Sequence, residues 1–141
     1  MTKIFIDGSQ GTTGLKIFDR LAKREDIELI TLPENLRKDT NARKEALNSA
    51  DIAFLCLPDA AAIEAVSLIE NENTIVIDTS TAHRTDEGWA YGFPELSEEM
   101  ETKLKNSKRI AVPGCYASGF IALVKPLVDA GIVDSDICIA C

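Results

Sequence analysis

Short runs of apolar residues alternate along the chain with stretches in which apolar positions return every three or four residues. Lys3-Ile-Phe-Ile-Asp7, Glu28-Leu-Ile-Thr-Leu32, Ile52-Ala-Phe-Leu-Cys-Leu57 and Thr74-Ile-Val-Ile-Asp78 are apolar almost throughout, the pattern of strands buried on both faces. Between them, Leu15 to Arg24, Asn41 to Asn48 and Ala60 to Glu70 carry helical spacing. Pro33 ends the second strand; Pro58-Asp59 breaks the third, and Asp59 is predicted to cap the helix that follows. Ser97 with Glu98 and Glu99 opens a polar helix to about Asn106. A further short strand starts at Arg109, and beyond Pro113-Gly114 a helix runs from Cys115 to Ala130, in which Pro126 must make a kink or mark a new start. Apolar strands alternating with helices predict an α/β fold, a doubly wound, mostly parallel sheet covered on both faces. Ligands of such sheets gather beyond the C-terminal ends of the strands, so the loops starting at Gly8, Pro58, Thr79 and Pro113 are predicted to converge on one crevice.

The first of these loops sharpens the picture to a Rossmann-like domain. The opening strand leads directly into Gly8, Ser9, Gln10, Gly11, Thr12, Thr13 and Gly14, and then into a helix. Glycines let a backbone turn sharply and approach a pyrophosphate, whose charge then rests on the helix N-terminus. The spacing is G-x-x-G-x-x-G rather than the commoner G-x-G-x-x-G, and the same residues also read as a tight strand-to-helix turn. After the second strand an acidic residue bonds the ribose of NAD, whereas a basic one receives the extra phosphate of NADP. Glu34 is close, but Arg37 and Lys38 follow in the same loop. The reading favours NADP, the alternative being that both are ordinary solvated charges. Pro58, opening the third crevice loop, completes the cofactor-binding candidates.

The chemistry is expected at Cys115, in the first turn of the last long helix. Unsatisfied N–H groups and a partial positive charge make a helix start a place where thiols become nucleophilic; otherwise a Cys among apolar neighbours is a small buried hydrophobe. The loop Asp78-Thr-Ser-Thr-Ala-His-Arg84 is dense in polar groups at the expected crevice. Arg84 is a candidate to grip a phosphate or carboxylate in bidentate fashion, with Ser80 donating to the same anion. Alternatively Arg84 pairs with Asp78 or Asp86 and only fastens the loop. His83, the sole histidine, is read as structural, since the neighbouring Arg84 disfavours an imidazolium. The aromatic stretch from Trp89 to Leu96 is read as packing.

Composition narrows the partners. A chain of 141 residues, 45% hydrophobic, is enough for one domain with a core. No apolar stretch of about 18 residues and no signal-peptide pattern occurs, so a cytoplasmic protein without membrane attachment is expected. With 15 basic against 23 acidic residues and a net charge of −8, nucleic acid is an improbable partner, and any anionic ligand must be held locally. Cysteines at 56, 115, 138 and 141 do not suggest a disulfide framework. Cys138 and Cys141 form a C-x-x-C, but in a strand that spacing puts the side chains on opposite faces, so no metal is expected. Asp136 to Cys141 reads as a strand that stops without a polar tail. The chain is therefore expected to be the first part of a longer polypeptide, with residues 1–135 forming the NADP-binding domain and 136–141 the first strand of a second, α+β substrate or dimerisation domain.

Four motifs, Gly8-Ser-Gln-Gly-Thr-Thr-Gly14, Asp78-Thr-Ser-Thr-Ala-His-Arg84, Tyr91-Gly-Phe-Pro-Glu-Leu96 and Val112-Pro-Gly-Cys-Tyr-Ala117, resemble the N-terminal half of N-acetyl-gamma-glutamyl-phosphate reductases of the shorter form. That family is related to aspartate-semialdehyde dehydrogenase. The resemblance implies a cytoplasmic oxidoreductase of arginine biosynthesis that reduces an acyl phosphate to an aldehyde with NADPH, homo-oligomeric at full length. It implies Cys115 as the nucleophile that forms a thioester, the Gly8–Gly14 loop as the pyrophosphate site, and Arg84 as the grip on the anionic substrate. It also places the general acid/base, a histidine, in a second domain, so the 141-residue piece is expected to bind dinucleotide without appreciable turnover. Two other readings stay open. One is a semialdehyde dehydrogenase for another acyl phosphate, although those usually carry Asn-Cys where this chain has Gly114-Cys115. The other is a nucleotide-sensing module with an unreactive Cys.

Overall fold

A computed structural model describes residues 1–134 and 136. Its centre is a six-stranded sheet in the order β2-β1-β3-β4-β6-β5. The strands are β1 (Thr2–Asp7), β2 (Ile27–Ile30), β3 (Ile52–Leu55), β4 (Ile75–Asp78), β5 (Ala90–Tyr91) and β6 (Arg109–Ala111). Every neighbouring pair runs parallel, as runs of apolar residues separated by helices require. The helices are α1 (Thr12–Leu21), α2 (Thr40–Ser49), α3 (Asp59–Ser67), α4 (Glu98–Asn106) and α5 (Cys115–Asp129).

The core gathers where the central strands meet α2 and α3. Leu47, Leu55, Ala65 and Val76 have no exposed surface and pack with Phe5, Ala53 and Trp89. Burying each large side chain contributes roughly 1.5–3 kcal/mol. Coverage of the sheet is uneven. The last four residues of β1 are all buried, whereas β3 and β4 alternate buried with half-buried positions. Phe54 and Ile77, paired across the sheet, therefore lie on a face that is only partly covered, and α5 has no fully buried residue. The expectation of complete cover on both faces is corrected accordingly for this pair of strands.

Of the five helices among the described residues, α2 and α4 start on side-chain caps. The Asp39 side chain accepts from the Ala42 N–H at 2.8 Å and Ser97 Oγ from the Met100 N–H at 3.1 Å, opening α2 and α4. Asp59 was expected to cap α3, but Pro58 holds that position and Asp59 is the first helical residue. Its carboxylate instead accepts from the backbone N–H and hydroxyl of Thr81, joining α3 to the loop after β4. Helix α5 continues through Pro126 without a new start, leaving the Ala122 carbonyl without its usual donor. The aromatic connection is more than a link between elements, since Ala90 and Tyr91 form β5, at the sheet edge beside β6. The C-x-x-C and the strand expected over 136–141 lie outside the described residues apart from Asp136.

Candidate active site

The loop after β1 shows why glycine stands where it does. Gly8 has φ +84°, and a β-carbon there would lie 2.3 Å from the Cys56 carbonyl oxygen. At Gly14 the corresponding contact is 2.3 Å from the Gly8 carbonyl oxygen. The turn is thus pressed against β3 on one side and against α1 on the other, closed by a Gly11 N–H to Gly8 carbonyl bond of 3.1 Å. Helix α1 starts three residues earlier than apolar spacing alone suggests, with Gly11 as N-cap and no side-chain cap. The first-turn N–H groups at Thr12, Thr13 and Gly14 therefore have no capping side chain, the arrangement that favours an anion.

Beside this turn opens a cleft of about 750 Å³, within the size range of small-molecule sites. Gly8, Ser9, Gln10 and Gly11 line it, as do Glu34, Arg37 and Lys38 from the loop after β2. A narrow glycine turn, an uncapped helix start and two cations that outnumber the neighbouring Glu34 carboxylate in one loop fit an anionic dinucleotide. Pro58 sits between two residues of the same cleft, Leu57 and Ala61. Among the described residues no cluster of His, Cys, Asp and Glu is arranged to hold a metal.

A buried ion pair, which sequence reading missed, underlies the cleft. The Arg43 Nε donates to Asp7 Oδ2 at 3.1 Å. Its Nη2 lies 3.0 Å from the same oxygen but is not aligned for a hydrogen bond and has no other partner. Burial pushes the Asp7 carboxyl above its ordinary value, and the bond and charge of Arg43 oppose this only in part. The signal in the sequence was an aspartate directly before the first glycine, at the end of an otherwise apolar strand.

Cys115 is exposed and is the first residue of α5, behind an uncapped Gly114. Strands β1 and β6 are separated by β3 and β4, so the Gly8 and Cys115 turns stand three steps apart on the C-terminal edge, about 14 Å at roughly 4.8 Å per step. The edge is stitched between them: Cys56 N–H to Asp7 carbonyl, Thr79 N–H to Leu55 carbonyl and Val112 N–H to Asp78 carbonyl, at 2.8, 3.0 and 2.8 Å. Cys115, Arg84 and Ser80 thus lie farther along this edge, outside the wall of the dinucleotide cleft.

Asp78, with no exposed surface, organises the loop next to Cys115. Its carboxylate accepts from the Ser80 N–H at 2.9 Å and hydroxyl at 2.7 Å, and His83 Nδ1 lies 2.7 Å from Oδ2. The His83 ring stacks on Trp89 at 4.1 Å, the position of a packed side chain. The Ser80 hydroxyl proton is directed at Asp78, so in this arrangement Ser80 does not donate to an anion as expected. Arg84 fastens the loop, though through carbonyls rather than through Asp78 or Asp86. Its Nε donates to Val112 at 3.0 Å and its Nη2 to Thr79 at 3.4 Å. The guanidinium lies against Gly114, immediately before the thiol.

Residues 32–104 match the family model of the semialdehyde dehydrogenase NAD-binding domain. The chain is 58% identical over 134 residues to an N-acetyl-gamma-glutamyl-phosphate reductase from Chelativorans, covering 95% of this chain and 43% of that protein. It is 57% identical to N-acetyl-gamma-glutamyl-phosphate reductase 2 from Pseudomonas putida, covering 94% of this chain and 42% of the relative. The chain therefore spans less than half the length of these reductases. Among solved structures, aspartate semialdehyde dehydrogenase from Francisella tularensis superposes with TM-score 0.66 at 16% identity, covering 93% of this chain and 42% of that one. The enzyme with NADP from Candida albicans gives 0.61 at 16%, covering 94% and 48%. Both show the fold alone.

Proposed function

Because the chain belongs to the semialdehyde dehydrogenase NAD-binding domain family, we propose that it is the NADP-binding, nucleophile-bearing portion of an acyl-phosphate reductase. The substrate assigned is N-acetyl-glutamyl 5-phosphate, reduced to the 5-semialdehyde on the way to arginine, by analogy with relatives named for that activity. The observation that carries this reading is one sheet edge with a glycine cradle at one strand end and an exposed Cys115 three strands away.

The residues divide the work along that edge. Gly8 to Gly14 take the pyrophosphate on backbone amides and the start of α1. Arg37 and Lys38 meet the additional phosphate of NADP. Cys115 attacks the carbonyl carbon of the acyl phosphate through its sulfur, the C–O bond to phosphate breaks, and the acyl group stays on sulfur as a thioester. Sulfur suits the role because it both attacks and leaves well. Arg84, whose guanidinium lies against Gly114, is assigned the grip on an anionic group of the substrate. A bound reduced nicotinamide supplies the hydride. The general acid/base and the reading of the acyl chain are assigned to the further domain that the relatives' greater length provides, as is subunit assembly.

Two measurements test the reading. Calorimetric titration should show NADP binding more tightly than NAD, with Arg37→Ala weakening NADP and leaving NAD unchanged; equal loss for both refutes the cofactor assignment. Incubation with an acyl phosphate followed by peptide mass mapping should place an acyl group on Cys115. Cys56, half-buried with its thiol pushed up first by burial and further by Asp7 and Asp78, should stay unmodified. An unlabelled Cys115 favours a nucleotide-sensing module instead.

A further inference from the structure

Among the described residues one lysine or arginine is buried, Arg43, 8% exposed, and it faces the dinucleotide cleft. It joins two parts of the cleft that sequence order keeps apart. On one side its guanidinium holds Asp7, the residue before Gly8, and approaches Glu64 of α3 at 3.6 Å. On the other, its own helix is tied by short backbone bonds to the loop bearing Arg37 and Lys38: Arg43 N–H to Asp39 at 3.0 Å, Asp39 N–H to Leu36 at 3.0 Å and Leu36 N–H to Pro33 at 2.9 Å. The path from Gly8 to Lys38 thus runs through one ion pair and one capped turn.

Stability does not account for this pair. Burying two charges costs about as much as their attraction returns, and apolar replacements are often neutral or better. Here the geometry is incomplete as well, since Nη2 is buried without a hydrogen bond. A buried fork that joins the phosphate turn to the loop of Arg37 and Lys38 has a different use: it fixes the distance between them.

We propose that Arg43 is a specificity-determining residue, a strut that sets Arg37 and Lys38 at the spacing from the Gly8 turn that accepts a 2′-phosphorylated adenine dinucleotide. The inference rests on the NADP reading of the cleft. Its positioning role predicts an unequal loss: both dinucleotides rest on the Gly8 turn that Asp7 adjoins, but only the phosphorylated one uses Arg37 and Lys38, so NADP is weakened more than NAD.

The test is calorimetric titration of the 141-residue chain with NADP and with NAD, for the wild type, Arg43→Met, Arg43→Lys, Asp7→Asn and the double variant Arg37→Ala/Lys38→Ala. Arg43→Met is expected to lower the NADP-over-NAD affinity ratio roughly tenfold, the size of one charge-assisted contact. Arg43→Lys, which keeps the charge but not the fork, is expected to recover part of it. Circular dichroism establishes which variants fold; where Arg43→Met does not, Arg43→Lys and Asp7→Asn carry the comparison and should lower the ratio in the same direction. A ratio lowered by the double variant but unchanged in the folded Arg43 and Asp7 variants overturns the strut alone, as does equal weakening of both dinucleotides. A ratio unchanged by the double variant overturns the NADP reading and the strut with it.

Discussion

The guanidinium of Arg84 fills the space that a β-carbon on Gly114 would need, its Nη1 lying 2.4 Å from that position. Because the same side chain donates to the Val112 carbonyl, the loop after β4 and the turn before α5 are held as one piece, with a fixed positive charge against the helix start that carries Cys115. This gives a physical reason for glycine rather than asparagine ahead of the thiol: any side chain at 114 displaces Arg84.

Gly114→Ala should therefore move the guanidinium and weaken its bond to Val112. The measurement is the ratio of Cys115 alkylation rates by iodoacetate, which is anionic, and iodoacetamide, which is neutral. Displacing a unit charge from the helix start in a largely aqueous setting is worth somewhat under 1 kcal/mol, so the ratio should fall roughly threefold. Arg84→Met should give the same fall. An unchanged ratio in both would mean that Arg84 does not act on the thiol's surroundings.

The glycines of the first loop should separate into two kinds. Gly8→Ala forces a left-handed conformation and a contact of 2.3 Å with the Cys56 carbonyl, and should cost about 2–4 kcal/mol in urea unfolding. Gly11 has an ordinary φ of −73°, and a β-carbon there meets nothing closer than 3.4 Å. Gly11→Ala should change stability by about 1 kcal/mol or less and yet weaken dinucleotide binding, because its added methyl stands on the cleft wall. Comparable destabilisation in both variants would contradict the distinction.

What was legible in the sequence follows from how each feature is encoded. Uninterrupted apolar runs separated by helices reported the parallel sheet, although β3 and β4 alternate buried with half-buried positions because one face is only partly covered. The glycine turn and the Cys115 helix start were legible because local backbone geometry dictates both. Long-range pairings were not: Asp59 looked like a cap for its own helix, and only the fold brings Thr81 within reach of it. The partner of Asp7 is 36 positions away, with nothing in the spacing to link them. Ser80 and Arg84 belong to a loop whose polar density is legible, but their partners, Asp78 and the carbonyls of Val112 and Thr79, depend on how neighbouring strands end. Strand β5 was missed because two residues are too few to show a period.

The Asp59–Thr81 link has a pH signature. Thr81's hydroxyl and backbone N–H both favour the ionised carboxylate and hold Asp59 below its ordinary value of 3.8. A carboxyl lowered by folding stabilises the native state above its unfolded value, and that contribution disappears as pH falls through the folded value. The melting temperature of Asp59→Asn should therefore lie below that of the wild type at pH 7, and the gap should close on acidification below about 3.8. A gap that is constant with pH would assign the effect to the amide's shape instead of to charge.

Asp78 offers the most demanding comparison, because three donors converge on one carboxylate with no exposed surface. Asp78→Ala strands the Ser80 N–H, the Ser80 hydroxyl and the His83 ring N–H, whereas Ser80→Ala removes one donor, leaves the acceptor to the other two, and frees only the part-buried Ala82 N–H, which donates to Ser80 Oγ at 3.2 Å. Unsatisfied buried groups cost more than a lost bond between two removed partners. Asp78→Ala should thus cost about 2–4 kcal/mol and Ser80→Ala about 1 or less. The alkylation ratio at Cys115 adds an independent readout. The loop that Asp78 organises ends in Arg84, so Asp78→Ala should lower the iodoacetate preference as Gly114→Ala does, while Ser80→Ala should preserve it. A preference retained in Asp78→Ala would show that the carbonyl bonds to Val112 and Thr79 hold Arg84 in place without help from the buried carboxylate.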